Sequence, residues 1–139
     1  MTLADRLLSL IAQNGPLTVA QYMTSALYDP QDGYYTRNAA LGAGGDFITA
    51  PELSPLFGRT LARQLAELLA QDIPDIVELG AGSGALAPVL LAELAALDRL
   101  PQRYPILEVS ADLRERQQSH LAATVPQLAD CVSWLEQLP

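Results

Sequence analysis

The chain has 139 residues, half of them apolar and 17% charged, which is enough hydrophobic surface for a folded core and excludes the composition of a disordered tail. Sixteen acids against eight bases, every one an arginine, give a formal charge of −8; without a basic cluster, nucleic acid and an anionic membrane surface are not expected as direct partners. Cys131 and His120 each stand alone, so neither an internal disulfide nor a metal constellation is expected, and the single thiol fits a reducing, cytoplasmic setting.

The apolar stretch from Leu7 to Ala12 lacks a basic leader, and no run reaches the length needed to span a membrane. Residues 2–13 instead have the pattern of an amphipathic helix. Thr2 can cap it, Leu3, Leu7, Leu10 and Ile11 share one face, and Asn14-Gly15-Pro16 stops it. Thr18 caps a second, shorter helix carrying Val19, Tyr22, Met23 and Leu27, which ends in the turn-rich run from Tyr28 to Gly33. Tyr22, Tyr28, Tyr34 and Tyr35 cluster here, as pocket lining or as packing. These elements make residues 1–36 an N-terminal helical segment.

From Arg37 to Pro55 neither a helical nor a strand period can be found, and long irregular runs in a compact chain are often functional. The run offers a flexible Gly44-Gly45-Asp46, the hydroxyl of Thr49 and the carboxylate of Glu52. Ser54 and Pro55 then start a helix to about Ala70, with Leu56, Leu61, Leu65, Leu68 and Leu69 available for burial.

The run from Ile73 to Leu79 is rich in β-branched residues and closed by glycine, as expected of a buried parallel strand. Gly80-Ala81-Gly82-Ser83-Gly84 follows, and a helix from Ala85 to Leu97 tolerates Pro88 in its first turn. A strand, a glycine loop and a helix N-terminus together form a cradle for a nucleotide-like ligand. Two chemistries share that geometry. Gly80, Gly82 and Ala85 fit the dinucleotide pattern G-x-G-x-x-A, whereas Glu78, Gly80, Gly82 and Gly84 fit E-x-G-x-G-x-G, motif I of the class I S-adenosylmethionine-dependent methyltransferases. Glu78 favours the second, because a carboxylate there would repel a pyrophosphate but suits an ammonium and a sulfonium. A plain glycine-rich turn is the remaining alternative.

A ribose needs a carboxylate at the end of the next strand, ~20 residues after the loop. Glu108 stands near the end of the apolar run Tyr104 to Val109 and meets that requirement. Ser110 can cap a helix through Thr124, Pro126 stops it, and Cys131 to Leu135 has the pattern of a third parallel strand, with Trp134 in the core or over an edge. Residues 56–139 therefore have the pattern of a Rossmann-like α/β domain with about three parallel strands. Its unpaired edge favours self-association or completion by another chain.

The runs GDFITAPELSPLFG (45–58), VELGAGSG (77–84) and ILEVSADLRERQ (106–117), preceded by GPLTVAQYM (15–23) and YDPQDGYYT (28–36), resemble the MidA-like family of class I methyltransferases. That family includes the mitochondrial complex I assembly factor, a protein arginine methyltransferase. The resemblance implies S-adenosyl-L-methionine as cofactor and a protein substrate, which could be a respiratory-complex subunit. It implies cofactor contacts at Glu78, Gly80, Ala81, Gly82, Gly84 and Glu108, with Gly45 and Thr49 contributed by a 45–52 loop lying against the site. Asp46 and Glu52 are the loop carboxylates available to an arginine acceptor, and the acceptor-side catalytic residues are not identified. Family members are longer, with further strands, so the chain resembles the N-terminal, cofactor-binding part. The alternatives are a non-catalytic module that binds the cofactor or a partner, and an NAD-dependent oxidoreductase.

Overall fold

Thr2 and Thr18 each build a capping box at the start of a helix. Thr2 closes on Asp5 to begin α1 (Leu3–Asn14), and Thr18 closes on Gln21 to begin α2 (Val19–Tyr28). In both, the hydroxyl accepts the third helical N–H while the side chain at that position accepts the cap's own N–H, so two unpaired donors are satisfied together. Gly15 then takes φ of 85°, a left-handed conformation that ends α1.

The computed structural model describes residues 1–36, 42, 44–46 and 48–138. The chain divides into two units, Met1–Ala40 and Leu41–Pro139. Within the first, the Arg6 guanidinium reaches Asp29 at 2.7 Å and Asp32 at 3.2 Å, tying α1 to the turn after α2. Tyr35 packs against Tyr28 and, edge-on, against Tyr34, with ring centroids 5.7 and 5.1 Å apart, so three of the clustered tyrosines serve packing. Tyr22, 54% exposed, is more open than Tyr28 or Tyr34, which also keep part of their rings at the surface.

The second unit is a three-stranded parallel sheet in the order β1-β2-β3, formed by Glu78–Leu79, Tyr104–Leu107 and Val132–Leu135. It is the α/β, Rossmann-like arrangement expected, with α4 (Pro55–Leu69) before β1, α5 (Leu86–Ala96) between β1 and β2, and α6 (Ala111–Thr124) between β2 and β3. Ser54 accepts the N–H of Leu56 to start α4, and Ser110 accepts that of Leu113 to start α6. A 3₁₀ turn over Pro126–Cys131, absent from the sequence reading, leads into β3.

Three expectations need correcting. Residues 37–41, 43 and 47 of the run read as irregular lie outside the described residues, and Ala50–Leu53 within it forms one helical turn, α3, too short to show a period. In α4, Leu56 and Leu68 stay exposed while Gly58, Ala62, Leu61, Leu65 and Leu69 face the core. The reason is proximity: α4 comes so close to α5 that its contact positions need small residues.

The third correction concerns β1. Its ladder is confined to Glu78–Leu79, with one further bridge between Asp75 and Arg103, and Val77 is 48% and Leu79 61% exposed. Paired residues in parallel strands share a face. Glu78, Ile106 and Trp134 therefore lie on one side with Tyr104, over a core of Ala87, Leu90, Leu91, Leu94 and Leu121. Val77, Leu79, Pro105, Leu107 and Leu135 fall on the other side, and none of them joins that core. Among the described residues one sheet face is covered and β1 is an edge, so a strand expected to be buried is half bare.

The α4–α5 approach is testable at Gly58. A Cβ built there would lie 2.9 Å from Val89 Cγ1 and 3.2 Å from Val89 Cβ, and a β-branched side chain has little freedom to yield. Gly58→Val is expected to lower unfolding stability by about 1–3 kcal/mol in denaturant titration, the usual cost of overpacking.

Candidate functional site

The carboxyl ends of parallel strands are where α/β sheets bind ligands. Here that end gathers the glycine loop after β1, the acid after β2 and the N-termini of α5 and α6. Gly80, Gly82 and Gly84 have φ of 65°, 57° and 77°. All three sit in the left-handed region, which glycine enters without the penalty a side chain brings. A Cβ at Gly80 would meet nothing within 4 Å, so that glycine is required by its backbone angle and the space beside it is open. At Gly84 a Cβ would come within 3.0 Å of Gln117 Cγ, because the loop rests directly on α6. Ala81 packs partly against the core and its carbonyl accepts the Gly84 N–H at 2.9 Å, closing the turn. The first turn of α5 has no side-chain cap, which leaves backbone donors facing the loop.

Glu108 is 5% exposed, and the rest of the loop's support converges on it. Its Oε1 accepts the Ser110 N–H at 3.0 Å and its Oε2 accepts from Gln117 Nε2 at 3.1 Å. The same Nε2 donates to the Gly82 carbonyl at 2.9 Å, and Gln117 Oε1 accepts the Trp134 indole N–H at 2.9 Å. A carboxylate has about four acceptor positions, so two bonds leave capacity for a pair of ligand hydroxyls.

Glu78, the acid of the motif, turns to the covered face and accepts the Tyr104 hydroxyl at 2.8 Å. Burial pushes the Glu78 carboxyl up, against the hydrogen bond from Tyr104. Burial first, and then the neighbouring Glu78 charge, holds the Tyr104 phenol in its protonated, donating form.

The 45–52 loop reaches the glycine loop through Glu52. The Thr49 N–H and hydroxyl donate to Glu52 Oε2 at 2.9 and 3.0 Å, and Ser83 also donates to this carboxylate. Burial works to raise the Glu52 carboxyl, but the bonds from Thr49 and Ser83 outweigh it and hold it below the ordinary range. Gly45 donates its N–H to the Gly42 carbonyl at 2.9 Å, forming a turn before α3. The glycine loop and Glu108 are thus brought to one end of the sheet, with Glu78 directed inward and Thr49 engaged by Glu52.

Sequence reasoning missed Gln117 and Tyr104. Gln117 did carry a signal, since it lies between Leu113 and Leu121 at intervals of four, a polar side chain on the buried stripe of α6. A cavity of about 400 Å³ lies at the opposite end of the sheet, lined by Leu69, Asp72, Pro74, Asp98 and Gln102. It is bounded by residues that precede β1 and β2, so it is no part of the glycine-loop site.

The profile of a family described as "Putative S-adenosyl-L-methionine-dependent methyltransferase" matches residues 56–139. The chain belongs to this methyltransferase family. Over 99% of its length it superposes, with a TM-score of 0.87 and 45% identity, on 37% of a "likely methyl transferase" from Burkholderia thailandensis solved with S-adenosyl-homocysteine bound. Protein arginine methyltransferase NDUFAF7, mitochondrial, from Danio rerio is 42% identical over 100 residues, covering 69% of this chain and 24% of that protein. The Rattus norvegicus protein of the same name is 38% identical over 132 residues, covering 88% and 30%. The family member thus spans under a third of the length of these curated relatives.

These relatives overturn the cytoplasmic setting read from the lone cysteine, because they are named mitochondrial proteins. A single thiol reports a reducing environment and does not distinguish one reducing compartment from another. No helix among the described residues is long and apolar enough to cross a membrane.

The Glu78–Tyr104 pair yields a pH test. A carboxyl with a raised folded-state pKa adds stability that is complete below its ordinary value of 4.5 and is lost as pH rises through the folded value. Glu78→Gln keeps an acceptor for Tyr104 and removes the charge. Unfolding titrations are therefore expected to show Glu78→Gln more stable than the parent at pH 7, with the difference disappearing in acid.

Proposed function

We propose that this chain forms the S-adenosyl-L-methionine-binding portion of a methyltransferase that acts on protein arginine. The observation that carries the reading is the pairing of three left-handed glycines with a buried, partly committed carboxylate at the end of the adjacent strand. Gly80, Ala81, Gly82 and Gly84 would admit the cofactor to the backbone, and Glu108 would accept from its ribose hydroxyls. Glu78 would supply negative potential beneath the loop, while Gly45 and Thr49 would close the side formed by the 45–52 loop. Support for an arginine acceptor comes from the curated relatives, which are named protein arginine methyltransferases. A respiratory-complex subunit is the first candidate substrate.

When bound, the cofactor supplies an electrophilic methyl on a sulfonium sulfur, open to direct displacement by an acceptor nitrogen. The protein's share is to hold donor and acceptor in line and to exclude water. A guanidinium acceptor calls for carboxylates that orient it and stabilise its charge. Glu52 is already tied to Thr49 and Ser83, so it serves first as a strut between the two loops. Asp46 is also partnered.

Calorimetric titration with S-adenosylhomocysteine tests the reading. The parent chain is expected to bind, Gly82→Arg to abolish binding by filling the loop, and Glu108→Ala to weaken it by about 1–3 kcal/mol, the value of hydrogen bonds to a charged group. A folded parent chain that takes up no ligand would sink the proposal.

The bare face and outer edge of β1 also support association with another chain or a second copy. Gel filtration across a concentration series is expected to show elution earlier than a monomer. A clean monomer throughout would count against it.

A further inference from the structure

We propose that Gln117 is the positioning residue of the cofactor site, fixing the ribose-binding acid and the glycine loop relative to each other. The inference rests on the cofactor reading above and deepens it. Three partners surround one buried amide: Nε2 donates to Glu108 Oε2 at 3.1 Å and to the Gly82 carbonyl at 2.9 Å, and Oε1 accepts the Trp134 indole N–H at 2.9 Å. Two of these partners only accept and the third only donates. A single orientation of the amide satisfies all three, and no shorter, charged or apolar side chain does.

The consequence for Glu108 is directional. With Ser110 N–H on one oxygen and Gln117 on the other, the carboxylate is held from both sides, and its remaining lone pairs have a set direction. The consequence for the loop is a fixed distance. Gly82 follows β1 and Glu108 follows β2, and the amide joins them through one nitrogen, so the spacing between the loop and the ribose acid is set by a side chain on α6. Gln117 is 2% exposed and its Cγ lies against Gly84, so it cannot turn away to water and let the two drift apart.

A merely structural glutamine would, when replaced, weaken every ligand alike. A positioning glutamine would, when replaced, erase the preference for ribose hydroxyls. The test is calorimetry of the full 139-residue chain and of Gln117→Met, each with S-adenosylhomocysteine and with its analogue lacking both ribose hydroxyls. The parent is expected to favour the hydroxylated ligand by roughly tenfold or more, and Gln117→Met by no more than about twofold, since bonds to a misdirected carboxylate lose most of their strength. An undiminished preference in folded Gln117→Met overturns the inference and leaves the cofactor reading intact. A parent chain that binds neither ligand overturns both.

Should Gln117→Met fail to fold, two measurements keep the question open to decision. Gln117→Glu preserves length but sets a second carboxylate against Glu108, and is expected to lose the same preference; retention of it overturns the inference. In the parent chain Trp134 is the single tryptophan, and its indole hydrogen-bonds Gln117 directly. S-adenosylhomocysteine is expected to shift its emission, and the analogue to shift it less. Emission unmoved at saturation overturns the inference.

Discussion

Two acceptors that follow different strands, the Gly82 carbonyl and the Glu108 carboxylate, share one buried nitrogen donor on α6. Buried polar groups are tolerated when every one is paired, and a half-paired network costs more than an apolar core would. The network here is complete: among the described residues no buried side-chain nitrogen or oxygen lacks a partner. Loop conformation, acid orientation and the seating of Trp134 are therefore a single condition, met or lost together. This is the constraint on which the geometry of the site depends.

Beneath it the helices supply rigidity. Gly58 lets α4 approach α5 until its backbone faces Val89, and Ala62, fully buried, continues the same stripe. α5 is apolar around most of its circumference, with Ala87, Leu90, Leu91 and Leu94 in the core, as suits a helix enclosed between a sheet and another helix. The glycine loop enters α5 directly. Its backbone angles are therefore anchored at one end by the best-packed helix and at the other by the Gly80 N–H bond to the Leu107 carbonyl, 2.9 Å long.

Local chemistry was the legible part of the sequence. Thr2, Thr18, Ser54 and Ser110 announce helix starts because a cap needs only a hydroxyl and the next three residues, and each was found capping. Gly80, Gly82 and Gly84 announce the loop because alternating left-handed angles exclude side chains. What could not be read depends on neighbours far along the chain. Whether Val77 and Leu79 are buried is decided by which layers flank the sheet, and whether Leu56 or Gly58 faces α5 is decided by an interhelical distance. Gln117 was visible only as a polar interruption of an apolar stripe, since its three partners come from positions 82, 108 and 134. The tyrosine partner of Glu78 was hidden for the same reason: positions 78 and 104 meet only once β1 and β2 are aligned.

That alignment has its own safeguard. The alternation along the strands makes register the most fragile property of the sheet: a slip of one residue in β2 would carry Tyr104 and Ile106 to the bare side and bring Pro105 and Leu107 into the core. An apolar mismatch alone would penalise such a slip weakly, because Pro105 and Leu107 are themselves apolar. Two polar ties add what hydrophobicity does not. The Tyr104 hydroxyl on Glu78 and the forked Arg103 guanidinium on Asp75 both join β2 to the segment of β1, and both would be broken by a single step. Tyr104 and Arg103 thus act as an index for strand pairing, and they stop the glycine loop from meeting the wrong residue of the neighbouring strand.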